Sequence, residues 1–226
     1  AIRQFQLEVG KRNFLSIHLT LVPYLAGAGE IKTTPTQHSV KELRSIGLQP
    51  DVLICRTEKP LSRAVKEKIG LFCNVEPEAV FEAINVDSIY EVPLIFAKNR
   101  IDEIIIDKLK LHVKTRHPDL KKWDKMVNKI KHPSHRIRIA ICGKYTHLRD
   151  AYKSIHEAFI HAGVENDSQV DLVWIDSEEV EKHGIKGYLE GVSGLLVAPG
   201  FGSRGIEGKI EAIRFVRENK IPFFGI

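Results

Sequence analysis

The residues best suited to chemistry stand in one run, Lys32-Thr33-Thr34-Pro35-Thr36-Gln37-His38. The run offers one fixed cation, three hydroxyls, one amide and one imidazole, and all of these groups can hydrogen-bond phosphate oxygens or base edges. A helical pattern follows from Ser39 to Gly47, and the free amides and positive dipole end at its start favour an anion. The run therefore predicts a nucleotide phosphate site. The alternative is a turn in which Ser39 or Thr36 caps the helix and Lys32 lies in solvent.

A second candidate is the glycine-rich run from Ala198 to Lys209, where a predicted strand ends and a helix begins. Open α/β sheets bind ligands at this edge. The glycines let the backbone turn sharply and present bare amides, which are the material of an oxyanion hole. The run is not a P-loop, because Ile210 follows Gly208-Lys209 where a P-loop has Ser or Thr. The alternative is a connection whose glycines serve only the turn.

The elements that must position both runs alternate between strand and helix, which is typical of parallel sheets with crossover helices. The predicted fold class is therefore α/β with two open, mainly parallel sheets. The spacing of Val65, Ile69 and Phe72 predicts that all three face the core of the first half. The predicted elements lie at 13–24, 39–46, 51–56, 62–72, 101–111 and 123–130, and then at 137–142, 148–162, 170–175, 195–198, 206–216 and 223–226.

A polar, basic segment near Lys131 to Arg136 separates the two patterns, so the predicted domains are residues 1–133 and 134–226. A content of 43% hydrophobic and 28% charged residues is that of a globular protein. The sequence has no apolar run near the ~20 residues that cross a bilayer, and no secretory leader pattern. These features predict a soluble, unsecreted protein without a membrane partner.

Three cysteines, Cys55, Cys73 and Cys142, are far apart and lie within apolar runs. Such spacing suits neither a disulfide framework nor a zinc site. We therefore predict three buried, reduced thiols.

A basic stretch runs from Lys108 to Lys144, with twelve Lys or Arg residues against two Asp. With the nearby histidines it suggests a nucleic-acid or metal interface. A solvated linker face is favoured, because Trp123 is the one aromatic residue there that could stack on bases. We therefore expect no nucleic-acid partner. The histidines are His112, His117, His132 and His135.

Short blocks throughout the chain, in the same order, resemble the CTP synthase family. Those before residue 100 resemble the second half of its synthetase domain, a P-loop-type domain that would be only partly included. Those after residue 140 resemble the start of its class I glutamine amidotransferase domain. The blocks are Lys32 to Leu43, Ile54-Cys55-Arg56, Leu71 to Val75 and Val86 to Tyr90, then Gly143-Lys144-Tyr145, Asp150 to Ser154 and Gly200 to Lys209.

The resemblance implies a ligase that aminates UTP to CTP with ATP and with ammonia from glutamine hydrolysis. ATP would phosphorylate the uracil 4-oxygen, and ammonia would then displace the phosphate. The implied ligands are UTP, CTP, ATP, Mg²⁺ and glutamine, with GTP as activator. The intact enzyme would be a cytoplasmic homo-oligomer, a dimer or tetramer.

The resemblance also implies site residues. Arg204 would respond to GTP, although an ion pair with Glu207 is the alternative for that side chain. Gly200 would help to hold glutamine and its oxyanion, whereas Pro199 stands where many family members have a glycine and therefore lacks an amide donor. The nucleotide residues are Lys32, Thr33, Thr34, Pro35, Thr36, Gln37 and Lys68 for UTP or CTP, and Arg56, Ile84, Asn85 and Val86 for ATP.

Both ends of the sequence are typical of the inside of a longer protein, since Ala1 to Phe5 looks helical and Ile221 to Ile226 looks like a buried strand. Under the resemblance, the phosphate loop, the Mg²⁺ ligands and the nucleophilic Cys with its His and Glu partners lie outside these residues. The Cys would directly follow Ile226. We therefore expect no catalytic residue, no metal ligand and no catalysis by this chain alone. The alternative functions are another glutamine-dependent ligase, such as a cofactor-amidating synthetase, a basic nucleic-acid-binding protein and a scaffold.

Overall fold

The computed structural model describes residues 1–115 and 117–226, and these form two compact units, Ala1–Asp124 and Lys125–Ile226. Each unit contains its own open parallel sheet, which confirms the predicted α/β class. The division between the units falls inside one helix, Lys121–Lys131. The predicted domain boundary at residues 133 and 134 stays a prediction.

The first unit is built on a parallel sheet of three strands, which lie in the order β1 (Ile17–Leu21), β4 (Val52–Thr57) and β5 (Val80–Ile84). Its core includes Val52 and Leu53 of the central strand and Ile69 of a covering helix, so the sheet buries one apolar layer beneath its helices. A small hairpin of two antiparallel strands interrupts the alternation after β1. The elements are α1 (Ile2–Val9), β1 (Ile17–Leu21), β2 (Tyr24–Leu25), β3 (Glu30–Ile31), α2 (Thr34–Ser45), β4 (Val52–Thr57), α3 (Arg63–Cys73), β5 (Val80–Ile84), α4 (Val92–Lys98) and α5 (Ile101–Lys108).

Helix α2 begins at Thr34, earlier than the predicted start at Ser39. Pro35 in the first turn explains the difference, because proline has no amide hydrogen to lose there and its fixed φ suits a helix start. The run from Lys32 to Gln37 is therefore largely the first turn of the helix instead of a loop before it.

Helix α3 begins as predicted, with the Ser62 side chain accepting a hydrogen bond from the Val65 amide at 3.3 Å. The prediction that Phe72 faces the core is wrong, because Phe72 is 56% exposed. Cys73 takes the inward position instead, one helical turn after Ile69, and both residues are fully buried.

The second unit has a parallel sheet of four strands, which lie in the order β7 (Ser168–Asp176), β6 (His135–Gly143), β8 (Gly194–Val197) and β9 (Phe223–Gly225). The long strand β6 lies between β7 and β8 and contributes Ala140, Ile141 and Cys142 to the core. Helix α8 was not predicted, because the one buried apolar residue in its seven is Val180, too few to give a helical stripe. The elements are α6 (Lys121–Lys131), β6 (His135–Gly143), α7 (Lys153–Glu165), β7 (Ser168–Asp176), α8 (Ser177–His183), β8 (Gly194–Val197), α9 (Ile206–Glu218) and β9 (Phe223–Gly225).

Helices α8 and α9 approach each other closely through glycines. Gly205 precedes α9 with φ of 69°, and a side chain there would meet the hydroxyl of Ser177. A methyl group on Gly208 would run into the Ser177 carbonyl oxygen. Two of the four glycines in the glycine-rich run are therefore required by packing and by backbone conformation.

Candidate nucleotide and glutamine sites

The end of β1 and the start of α2 are joined by the small hairpin. The Val22 amide donates to the Arg56 carbonyl at 2.8 Å, and the Lys32 amide donates to the Pro23 carbonyl at 2.9 Å. These two bonds return the chain to the carboxyl edge of the first sheet. Lys32 therefore lies at the edge where parallel sheets bind ligands.

Two of the three hydroxyls in the run are buried and hydrogen-bonded within the protein, and that of Thr36 holds the helix against β1. Thr36 is fully buried and donates to the Leu21 carbonyl at 2.9 Å, while it accepts from Thr20 at 3.2 Å. Thr33 is also buried, and its hydroxyl accepts from the Gln37 side-chain amide at 3.0 Å. The predicted contacts of these residues with a nucleotide stay predictions, since both hydroxyls already have partners within the protein.

The remaining residues of the run face outward. Thr34 and Pro35 are exposed, and Gln37 is half-buried. Lys32 forms an ion pair with Glu30, and both side chains are about half exposed. An exposed pair of this kind is worth little, so a phosphate group could displace Glu30 at small cost.

A groove of about 440 Å³ follows the edge strand β1 and extends to α2 and β4. Pro35 from the predicted UTP or CTP set and Arg56 from the predicted ATP set both line it. Ser39 also lines it and lies 2.8 Å from the His18 ring nitrogen Nε2. Burial lowers the pKa of His18, which favours the neutral ring beside this hydroxyl. The other lining residues are Leu19, Thr20 and Leu21.

Three of the four residues predicted to meet ATP lie at the carboxyl ends of adjacent strands. Arg56 Nη2 donates to Asn85 Oδ1 at 2.9 Å, and Ile84 is paired in register with Thr57, the next residue after Arg56. Val86 follows two residues later. The pairing of β4 with β5 therefore brings this set together, although its elements are far apart in the sequence.

Lys68, the further residue predicted to meet UTP or CTP, is exposed on α3. No ion pair holds it among the residues that the structure describes. Its cation is therefore available at the protein surface, and its predicted contact with the nucleotide stays a prediction.

The glycine turn of the second unit, residues 198–205, follows β8 and leads into α9. Gly200 is exposed and packs against two lysine side chains, where a Cβ atom would lie 3.3 Å from Lys144 Cδ and 3.6 Å from Lys209 Nζ. Lys144 Nζ donates to the carbonyls of Phe201 at 2.5 Å and Gly202 at 2.8 Å. Lys209 Nζ donates to the carbonyl of residue 198 at 2.8 Å. Lysines therefore hold the turn by its carbonyl groups.

Arg204 forms an ion pair with Glu178 at 3.1 Å, and its guanidinium lies 5.7 Å from the centre of the Tyr145 ring. The alternative pair with Glu207 is therefore wrong. Glu207 is a neighbour on the first turn of α9, whereas Glu178 approaches from α8, which the sequence did not reveal as a helix. The predicted response of Arg204 to GTP stays a prediction.

The cysteines are free and buried, as predicted. Burial raises the pKa of Cys55 to about 12 and that of Cys142 to about 12, so both are neutral thiols near pH 7 and poor nucleophiles. Within residues 1–115 and 117–226, no three His, Cys, Asp or Glu side chains are grouped to hold a metal ion. In the same residues, no helix combines the length and apolar character needed to span a bilayer.

Each of the two units matches the model of a known protein family. Residues 1–111 match the family model described as CTP synthase N-terminus, and residues 147–226 match the one described as glutamine amidotransferase class-I. The CTP synthase of Syntrophus aciditrophicus is 57% identical and that of Ruminiclostridium cellulolyticum is 54% identical, each over 226 residues. Each alignment covers 100% of this chain and 42% of the relative. The chain therefore spans about two fifths of the length of these curated relatives.

A solved structure of the glutaminase domain of Trypanosoma brucei CTPS with bound acivicin is 38% identical. The alignment covers 39% of this chain and 35% of that chain, with a TM-score of 0.37. That TM-score is too low to support any argument about the fold.

An open parallel sheet that ends in a glycine turn, together with the match over residues 147–226, defines the second unit as part of a class I glutamine amidotransferase domain. The first unit matches a synthetase N-terminus, and the relatives align over the full chain. The chain belongs to the CTP synthase family.

Proposed function

We propose that the full-length protein carrying this sequence aminates UTP to CTP, using ATP and ammonia released from glutamine. The support is the ordered match of both units to one family and the identity of 57% over 226 residues. The observation that carries the nucleotide half of the proposal is the groove lined by both Pro35 and Arg56. Another glutamine-dependent ligase would need the same kind of glutamine site but a different set of residues in this groove.

In this proposal, Lys32 and the start of α2 bind the UTP triphosphate. The first amides of a helix have no partner within the helix and point towards an anion. Lys32 would leave Glu30 and add a cation, with Lys68 of α3 as a second cation. The buried Thr36 contributes by holding α2 against β1, which fixes the position of these groups.

ATP would lie beside Arg56, whose guanidinium is held by Asn85. The γ-phosphoryl group of ATP would transfer to the uracil 4-oxygen. That oxygen would then leave as phosphate when ammonia attacks the ring carbon that carries it. Arg56 is suited to bind phosphate oxygens and to offset their charge. Mg²⁺ would neutralise phosphate charge when bound.

Glutamine hydrolysis would use the glycine turn. The amide of Gly200 would donate to the oxygen that becomes negative as the glutamine amide is attacked. None of the three cysteines serves as the nucleophile in this proposal, because all three are buried. We also propose GTP activation, assembly into a dimer or tetramer, and a cytoplasmic location for the full-length protein, as expected from the family resemblance.

The nucleotide site can be tested by hydrogen exchange on the full-length protein, with UTP, CTP or no nucleotide. We expect protection of the segment from Lys32 to Val40. We also expect Lys32→Met to weaken UTP binding by about tenfold through loss of one phosphate contact. Lys41→Met, which removes an exposed lysine further along α2, is the matched control and should bind UTP normally. Equal protection by unrelated nucleotides, or none by UTP, would favour the alternative ligase.

A further inference from the structure

Lys144 is a buried cation, and within residues 1–115 and 117–226 its ammonium group donates only to carbonyls of the glycine turn. The residue is only 5% exposed, and a buried ammonium is costly unless its hydrogens are bonded. Both of its observed acceptors are backbone carbonyls, those of Phe201 and Gly202. In the part of the chain that the structure describes, Lys144 has no carboxylate partner. The Lys144 ammonium group therefore depends on the conformation of the turn for its hydrogen bonds.

The bonds from Lys144 also fix the direction of nearby amides. Within one peptide group the carbonyl and the amide point in opposite directions. Holding the carbonyls of Phe201 and Gly202 therefore turns the amides of Gly202 and Ser203 away from Lys144. In the described residues, the amides of Gly200, Phe201 and Gly202 donate to no protein group. Among the residues that the structure describes, these three amides are thus free while the carbonyls of Phe201 and Gly202 are occupied.

Lys209 strengthens this arrangement from a different element. It lies in the first turn of α9 and bonds the carbonyl of Ala198, so carbonyls on both sides of Gly200 are held. Burial and the neighbouring Lys144 lower the pKa of Lys209, as expected for two cations that share one small region. Their positive charges lie beside the glycine turn and would favour an anion there.

Lys144 is itself held at its backbone. The Tyr152 hydroxyl accepts from the amides of Lys144 at 3.2 Å and Tyr145 at 3.3 Å. Tyr152 is 3% exposed and stacks on Trp174, with ring centres 5.9 Å apart. Gly143 leaves room for this hydroxyl, because a Cβ atom there would lie 2.5 Å from it. The end of β6 therefore presents the Lys144 side chain to the turn from a rigid support.

We propose that Lys144 is a positioning residue of the glutamine site, with Lys209 as a second support. Together they hold the carbonyls of the glycine turn so that its amides stay aligned for the oxyanion formed during glutamine hydrolysis. This inference deepens the proposed function and rests on it. It predicts a role in the hydrolysis of glutamine and none in the use of ammonia by the synthetase half.

The test compares two nitrogen sources in the full-length protein, glutamine and an ammonium salt. For Lys144→Met, we expect kcat with glutamine to fall about 10- to 100-fold, with KM for glutamine changed less than about threefold, because alignment matters most in the transition state. CTP formation from ammonium salt should stay within about twofold. Lys144→Arg should recover part of the loss, and Lys209→Met should lower kcat several-fold. Lys153→Met removes an exposed lysine of α7 and should leave both activities unchanged.

Three results would overturn the inference: an unchanged kcat with glutamine, a loss confined to KM, or equal losses with both nitrogen sources. Should Lys144→Met fail to fold, Lys144→Arg and Lys209→Met allow the same comparison. Release of glutamate from glutamine is measured separately. If the wild type releases glutamate but forms no CTP from either source, the proposed function fails, while the effect of Lys144→Met on glutamate release still decides the inference.

Discussion

The two candidate sites prepare hydrogen-bond donors in different ways. In the first unit, the run from Lys32 to Gln37 is largely the start of a helix, and the buried hydroxyl of Thr36 fixes that helix to strand β1. In the second unit, the donors belong to an irregular glycine turn, and lysine side chains fix its carbonyls. A helix start aligns its own amides through regular backbone geometry. A glycine turn has no such regularity, so other elements must hold it.

The largest expected effect comes from the packing beneath the glycine turn. Gly208→Ala would place a methyl group against the Ser177 carbonyl oxygen, and backbone atoms cannot move aside cheaply. We expect the free energy of unfolding to fall by about 3 kcal/mol, as measured by urea denaturation. Gly187→Ala is the matched control, because a Cβ atom there meets no atom within 4 Å.

This substitution also tests how far the turn depends on α9. If α9 moves away from α8, Lys209 should lose its bond to the Ala198 carbonyl, and exchange of the Gly200 amide should change. If Gly208→Ala is as stable as the Gly187→Ala control, the close approach of α8 and α9 does not require glycine at position 208. The view that packing between these helices holds the glycine turn would then be wrong.

The next largest effect is the difference in stability between removing a buried hydroxyl and removing an exposed hydroxyl at the helix start. Thr36→Val keeps the shape of the side chain but leaves the Leu21 carbonyl and the Thr20 hydroxyl without their partner. We expect a loss of about 1 to 3 kcal/mol in the free energy of unfolding. Thr34→Val, at an exposed position of the same turn, should change stability by less than about 0.5 kcal/mol. Calorimetry of both variants measures this difference.

The same pair tests which hydroxyl contacts the nucleotide. If Thr34→Val weakens UTP binding at unchanged stability, the exposed hydroxyl contacts the ligand. If Thr36→Val weakens binding while its stability is unaffected, the buried threonine contacts the nucleotide directly, and its role as a support of α2 is wrong.

The sequence was sufficient for the outline of the fold because alternating apolar strands and helices leave periodic patterns, as in β4 with its buried Val52, Leu53 and Cys55. It also indicated the run before α2 and the glycine turn as candidate sites, although it placed the start of the helix at Ser39 instead of Thr34. It did not reveal which hydroxyls point inward, because Thr33, Thr34 and Thr36 are chemically alike and only the contact with β1 distinguishes them.

Lys144 was missed as a support for a similar reason. A lysine beside a strand is normally solvated, and its acceptors lie 57 and 58 residues further along the chain. One local signal was available, since Gly143-Lys144-Tyr145 follows a strand at the ligand-binding edge of a parallel sheet. The partner of Arg204 could not be predicted, because it depends on the packing of α8, which has no periodic apolar pattern.

The smallest expected effect is the pH dependence of stability that arises from His18, which lies on β1 and contacts Ser39 of α2. Burial lowers the pKa of His18 below its usual 6.5, so the unfolded chain binds a proton more readily than the folded protein does. The contribution of the neutral ring to stability is therefore complete above pH 6.5 and is lost as the pH falls from there through the pKa of the folded state. Urea denaturation between pH 7.5 and 5 should show this decline, and His18→Gln should reduce it.

His38→Gln replaces an exposed histidine of α2 and should leave the decline as it is in the wild type. Protonation would make His18 Nε2 a donor to Ser39 Oγ and would add a positive charge beside the groove, so UTP binding should change over the same pH range in the full-length protein. The glycine turn lies in the other unit and has no histidine among its observed partners. Glutamate release that follows the pH profile of His18 would therefore contradict the view that the two sites are prepared independently.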